Sequence, residues 1–254
     1  MTGLRSAIGF LTILPVPAGS WQPARAVAWY PAVGVGLAAA IGGFAYGAFA
    51  VAPPQLAAAL AVAGWVVLTG GLHLDGLADT ADAAFAQVSR ERRLEILRDV
   101  HHGTFAILAV GLVLLVEFAA LAGLEGRTAA AAAALAVVAG RTNLPLVMRT
   151  FPRARTSGMG AASRAGATGA AVVAGVFAGL AAGWVTLGWA GVGLAFGAVL
   201  FATGMAGWLV SRFGGLTGDT YGAIVECVET AVVLAASILM ANGHAAAFPE
   251  GGLL

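Results

Sequence analysis

The sequence predicts an all-α fold: a polytopic membrane helix bundle of about seven transmembrane helices, with an N-terminal interfacial helix and a cytoplasmic amphipathic helix. Three observations lead there. Of 254 residues, 60% are hydrophobic and 10% charged, against roughly 25% charged in soluble domains. Mean hydropathy is +0.91, and apolar runs long enough to cross a bilayer recur along the chain. The arginines collect in alternate connections between those runs.

Taken in order, Ile8 to Leu14 is apolar and follows Arg5, but Pro15 and Pro17 break it after about seven residues. It reads as a short interfacial or re-entrant helix. Spans are expected at roughly 26–51, 55–72, 103–123, 128–148, 168–187, 189–210 and 222–242. Tight hairpins are expected at Pro53-Pro54, Gly123 to Arg127 and Gly188, and longer polar connections at His73 to His102, Arg149 to Ala167 and Ser211 to Tyr221. Many of the 37 glycines, and the alanine runs, fall inside these apolar segments, where small residues let helices approach closely. Segment 89–102, SRERRLEILRDVHH, sets Leu94, Ile96, Leu97 and Val100 on one face and its charges elsewhere, as a surface amphipathic helix does.

Seven passes put all three long connections on the side of the N-terminus. That side carries Arg5, Arg25, Arg90, Arg92, Arg93, Arg98, Arg149, Arg153, Arg155, Arg164 and Arg212, and the other side Arg127 alone. The expectation is a cell (inner) membrane protein with a cytoplasmic N-terminus and an outer C-terminus. All 13 basic residues are arginine and the acids number 12, a net charge of +1 that gives no basic body for nucleic acid. The single cysteine, Cys227, excludes an internal disulfide framework and a multi-cysteine zinc site, and reads as a small packed residue.

The acids are unevenly placed. Asp75, Asp79 and Asp82 stand at i, i+4 and i+7 in HLDGLADTADA, one stripe on a helix continuing the second span. Carboxylates so close repel one another, and a divalent cation relieves the conflict; oxygen ligands select Mg²⁺, Mn²⁺ or Ca²⁺ over zinc. His73 stands off the stripe, at the surface or behind the ligands. A second constellation, GGLTGDTYGAIVECVET, places Asp219 after a flexible glycine turn. Glu226 and Glu229 follow at +7 and +10, Glu229 roughly 15 Å into the span. Either is a functional acid or the partner of a buried arginine. The third constellation, GRTNLPLVMRTFPRARTSGMG, sets Arg141 and Arg149 on one helical face and extends the positive charge through Arg153 and Arg155. Arginine forks match phosphate oxygens.

Carboxylates, a divalent metal and arginines on one membrane face are the equipment of phosphoryl transfer. Arg141, Arg149, Arg153 and Arg155 would bind substrate phosphate, Asp75, Asp79 and Asp82 the metal, and Asp219 and Asp82 would serve catalysis, Asp219 completing the metal shell or accepting a proton. Glu117 lies in the outer half of the third span, where it pairs with a polar neighbour or snorkels. No P-loop, nucleophile elbow or zinc-protease helix is present, so the nucleophile is a substrate hydroxyl.

FLTILPVP at 10–17, GGLHLDGLADTADA at 70–83, GRTNLPLVMRTFPRARTSGMG at 140–160 and GGLTGDTYGAIVE at 214–226 together resemble the cobalamin synthase family, the adenosylcobinamide-GDP ribazoletransferases, in the family's order and over nearly all of the chain. Ala83 stands where that family usually has glycine, and VHHGT at 100–104 also departs from its pattern, but neither removes a carboxylate. The resemblance implies that 1–254 is a single integral membrane catalytic domain of late vitamin B12 synthesis. It would join adenosylcobinamide-GDP, a corrinoid nucleotide, to α-ribazole or its 5′-phosphate, giving adenosylcobalamin or its phosphate and GMP, with Mg²⁺ required. A CDP-alcohol phosphatidyltransferase would share the aspartate stripe, but DGLADTAD lacks the arginine its motif places after the DG pair. An ion-coupled transporter would keep its acids near the midplane between inverted repeats. The number of chains in the assembly is left open, a homo-oligomer included.

Overall fold

The computed structural model describes residues 2–17, 21–99, 101, 103–154 and 159–242. These residues form helices α1 (Thr2–Leu11), α2 (Pro23–Ala26), α3 (Tyr30–Val51), α4 (Pro54–Thr69), α5 (Leu72–Phe85), α6 (Arg90–Ile96), α7 (Thr104–Ala122), α8 (Gly126–Thr150), α9 (Met159–Arg164), α10 (Gly169–Phe213) and α11 (Gly218–Ala241), with no named strand among the described residues. The all-α membrane-bundle class is as the composition predicts. Five of these helices, α2 and α3 counted together, are long and apolar enough to cross a membrane, or six if α4 and α5 form one broken span.

The seven expected spans are not all reproduced as separate helices. The two expected at 168–187 and 189–210 lie within one 45-residue element, α10, interrupted by non-helical backbone at Leu187 and Gly188. Gly188 has φ 57, a left-handed value that glycine adopts at no steric cost. The two legs lie side by side, with Trp184 and Trp189 ring to ring at 5.0 Å and Gly183 against the backbone of Gly191.

The second span also departs from expectation. The sequence pattern predicts a helix continuing into the aspartate stripe, yet α4 ends at Thr69 and α5 leaves it at 90°. Gly70 and Gly71 both take φ 65, two consecutive left-handed residues that no helix can pass through. The surface helix expected over 89–102 is confined to Arg90–Ile96, N-capped by the Ser89 hydroxyl accepting from Arg92 N. Val100 and His102 lie outside the described residues.

At the centre stands α8, its alanine run buried on nearly every side. Its small side chains admit α3, where a Cβ on Gly42 would meet Ala134 Cβ at 3.0 Å, and the first leg of α10, where Gly175 lies against the Thr142 carbonyl. Outward faces stay apolar, as lipid requires: Leu112, Phe177, Val185 and Trp189 are exposed.

The crossing of α5 over α11 is tighter than any side chain permits. A Cβ on Gly76 would lie 2.7 Å from the Asp219 carbonyl oxygen, and one on Gly222 would lie 3.3 Å from Gly76 Cα. Gly76→Val must push the two helices apart and is expected to cost about 1–3 kcal/mol. Gly36→Ala, whose Cβ meets nothing within 4 Å, should be neutral or stabilising by up to about 1 kcal/mol. Thermal unfolding of the two detergent-solubilised variants distinguishes them; equal melting temperatures would contradict the crossing.

Candidate active site

The site is built where three segments meet at the N-terminus of α11. The first is α5. Its contact with α11 packs Gly76 against the backbone of Asp219 and Gly222, with Asp75 the residue before Gly76 and Asp79 one helical turn after it. Asp75 is exposed, and Asp79 and Asp219 are half-buried.

The second segment is the turn before α11. Gly214 takes φ 71 and ends α10, while Thr217 caps α11 in a reciprocal box with Thr220. Thr217 N donates to Thr220 Oγ1 at 2.7 Å and Thr220 N to Thr217 Oγ1 at 3.3 Å. The cap residue is therefore Thr217. Asp219 Oδ2 accepts from the Thr217 hydroxyl at 3.3 Å.

The third is the connection after α8. Arg153 and Leu216 form a parallel bridge, with Ala154 N donating to Leu216 O at 3.0 Å and Leu216 N to Pro152 O at 2.9 Å. Gly215 lies so close to Arg153 and Ala154 that a side chain there would collide with their backbone. This stitch brings the exposed Arg153 to the start of α11, where Arg153 and Arg164 both act electrostatically on Tyr221. Arg149 is also exposed, its Nη1 donating to Ala167 O at 3.4 Å. Arg155 lies outside the described residues.

Two predicted site residues have other partners. Asp82 accepts from the backbone of Gly103 at 2.5 Å and of Ala106 at 3.0 Å, so both its oxygens serve the N-terminal donors of α7. Arg141 has no exposed surface; it pairs with Glu229 and lies 3.2 Å through Nη2 from His73 Nδ1. Arginines read as anchors or phosphate ligands also hold helix ends. Arg212 donates to the Ala84 carbonyl at 3.1 and 2.5 Å, Arg93 to Ala86 at 3.3 and 3.1 Å, and Arg90 to Phe213 at 2.7 Å. Each meets a carbonyl that a helix C-terminus leaves without an internal partner.

Beneath the aspartates lies a buried layer that the sequence reading did not assemble. His73 Cα would touch a Cβ on Gly222 at 3.5 Å. From there His73, Glu226 and Glu229 turn inward, their ligand atoms all within 4.8 Å of one another. Arg141 lies among them, with Glu226 and Glu117 in electrostatic reach, and Glu117 Oε1 accepts from Thr230 at 2.9 Å. His73 is therefore buried instead of at the surface, and Glu117 finds its polar neighbour on α11. The trio has metal-ligand types, but the Arg141 guanidinium already faces both Glu229 and His73. Oxygen-only ligands on the open face come from Asp75, Asp79 and Asp219; among the described residues, no group including the stripe aspartates brings three ligand atoms within 4.8 Å of one another.

Removing one member of a buried ion pair leaves a charge that nothing solvates. Arg141→Met is expected to destabilise the protein by about 3–5 kcal/mol, and Arg141→Met/Glu229→Gln to recover part of that loss. Melting temperatures of the three variants form the double-mutant cycle; strictly additive losses would contradict the pair. Asp82→Ala should cost about 1 kcal/mol through the lost acceptors at α7, read in the same assay, and an unchanged melting temperature would count against that role.

A family model described as cobalamin-5-phosphate synthase matches residues 3–237. An adenosylcobinamide-GDP ribazoletransferase of Pseudomonas aeruginosa (strain UCBPP-PA14) is 41% identical over 94% of this chain and 98% of its own length. Proteins of the same name from Desulforamulus reducens and Brevibacillus brevis are 38% and 32% identical, over 91% and 92% of this chain and 94% and 97% of theirs. No solved structure matches. With the family model covering all but the two ends, and relatives above 30% identity aligned along nearly the full length, the chain belongs to the cobalamin-5-phosphate synthase family.

Proposed function

We propose that this protein joins adenosylcobinamide-GDP to α-ribazole, or to its 5′-phosphate, and releases GMP. The observation that carries this reading is the crossing at which α5, bearing Asp75 and Asp79, packs Gly76 on the backbone of Asp219, with Arg153 bridged to Leu216 just before α11, in a chain similar to ribazoletransferases along its length. In the transfer, a ribose hydroxyl oxygen forms a bond to the phosphorus carrying the aminopropanol arm. The bond from that phosphorus to the bridging oxygen breaks, and GMP leaves with the electron pair.

Each residue has a task set by its chemistry. Arg153, on the connection after α8, and Arg149, in the last turn of α8, offer guanidinium donors to the pyrophosphate. Asp219 stands in the first turn of α11 after a glycine-rich turn, at the crossing with α5, and its carboxylate is the group that takes the hydroxyl proton. Asp75 and Asp79 supply oxygen donors alone, a set that suits a hard divalent cation such as Mg²⁺. When bound, that ion would offset charge on the pyrophosphate. The arginine distribution supports an inner-membrane protein with the N-terminus and this site cytoplasmic and the C-terminus outside.

Purified protein given adenosylcobinamide-GDP should release GMP only when α-ribazole is present; release that ignores ribazole would mean hydrolysis, and none at all would refute the assignment. Asp79→Asn and Asp219→Asn should each lower kcat by about 100-fold or more while eluting as folded protein. Near-wild-type turnover in both would remove the aspartates from the chemistry. In a Cys227→Ala background, cysteines at Ser89 and Ser211 should react with an impermeant thiol reagent only from the cytoplasmic side. Labelling from outside would reverse the orientation.

A further inference from the structure

A groove of about 880 Å³ runs along the opposite flank of α5, lined by the end of α1, the α4–α5 break, α5 and α7. We infer that this groove is the subsite for the apolar bicyclic base of the ribazole substrate, entered from the flank of the bundle. This assignment rests on the proposed transferase activity and specifies where the second substrate sits.

The groove is a consequence of the break. Gly70 and Gly71 turn the chain away from α4 and leave a gap in front of α7. Ile13 N donates to Leu68 O at 3.0 Å and holds the residues after α1 against the break as a wall. Phe10 contributes an aromatic face that is already positioned, 5.3 Å from the Trp21 ring and 6.1 Å from Tyr30. A planar heterocycle lies well against such a ring, and the volume is in the range of about 300–1,000 Å³ of small-molecule sites.

Polarity within the groove decides between the two substrates. Among the described residues lining it, Asp75 is the only charged side chain. The hydroxyls of Thr12 and Thr69 are turned back to carbonyls of their own helices, Thr12 to Ile8 at 2.7 Å and Thr69 to Trp65 at 3.0 Å. Apolar walls without a guanidinium offer a polyanion no partner along the groove, while the Asp75 carboxylate at its edge can accept from sugar hydroxyls. The polyanionic nucleotide belongs on the arginine flank, beside Arg153. A base lodged in the groove puts its ribose at Asp75, on the helix whose other contact is Asp219, so the two substrates approach the aspartates from different sides.

Gly111 of α7 lines the groove, and a Cβ added there meets nothing within 4 Å. Gly111→Phe therefore fills the groove without strain at the helix, and Gly36→Phe adds the same bulk on α3, outside it. In full-length protein reconstituted in nanodiscs, Gly111→Phe should raise KM for α-ribazole at least about tenfold and weaken α-ribazole binding in equilibrium dialysis to match. KM for adenosylcobinamide-GDP should stay within about twofold and Gly36→Phe should resemble wild type. Unchanged ribazole KM and binding in Gly111→Phe, or an equal rise in KM for both substrates, would overturn the subsite. So would a Gly111→Phe defect that follows loss of a co-purifying lipid in native mass spectrometry while ribazole binding is unaffected. Wild-type protein that transfers nothing would instead sink the activity on which the assignment rests.

Discussion

Everything at the site depends on how closely α5 lies on α11. Two glycines face each other at the crossing, and the Asp219 carbonyl occupies the space that a side chain on Gly76 would need. Backbone-to-backbone contact of this kind is how helices associate in lipid, where burying apolar surface gains nothing over leaving it in the bilayer. Here it has a chemical consequence. Carboxylates about 140 residues apart in sequence come to one place, and the stitch at Arg153 and Leu216 adds a guanidinium to them.

That arrangement needs support from below and around. Below, Arg141 draws Glu229 and His73 together, tying α8 to α11 and α5 through a buried layer. Around it, helix ends that would leave carbonyls or N–H groups unpaired are met by charged side chains: Arg212 and Arg93 at the end of α5, Arg90 at the end of α10, Asp82 at the start of α7. Two of these bonds reach across more than 120 residues. The aspartate-bearing helix is thus fixed at both its crossing and its C-terminus, which is what a site acting by position and electrostatics requires.

Much of this was legible in the sequence because lipid imposes simple rules. Apolar length located most of the long helices, and Pro53-Pro54 and Gly188 marked turns between them. The break at Gly70-Gly71 was missed because hydropathy continues across it; two adjacent glycines before a polar helix were the available signal. Partners were the harder part. Nothing local distinguishes Asp82, which serves α7, from Asp75 about two turns away on the same stripe, or Arg141, which is buried, from Arg149, which is exposed. For Glu226 and Glu229 the sequence leaves open a functional acid or the partner of a buried arginine, and that Glu229 meets Arg141 depends on helix packing that periodicity does not encode.

The central claim, that α5 and α11 bring Asp79 and Asp219 to one place, is tested most directly by cross-linking in native membranes. With Cys227 replaced by alanine, Asp79→Cys/Asp219→Cys should be joined by a short bis-methanethiosulfonate reagent and recovered as one linked peptide pair by mass spectrometry. Asp79→Cys/Ser237→Cys, with Ser237 at the far end of α11 beside Gly123, should not be. Efficient linkage in the second pair and none in the first would contradict the crossing on which the site is built.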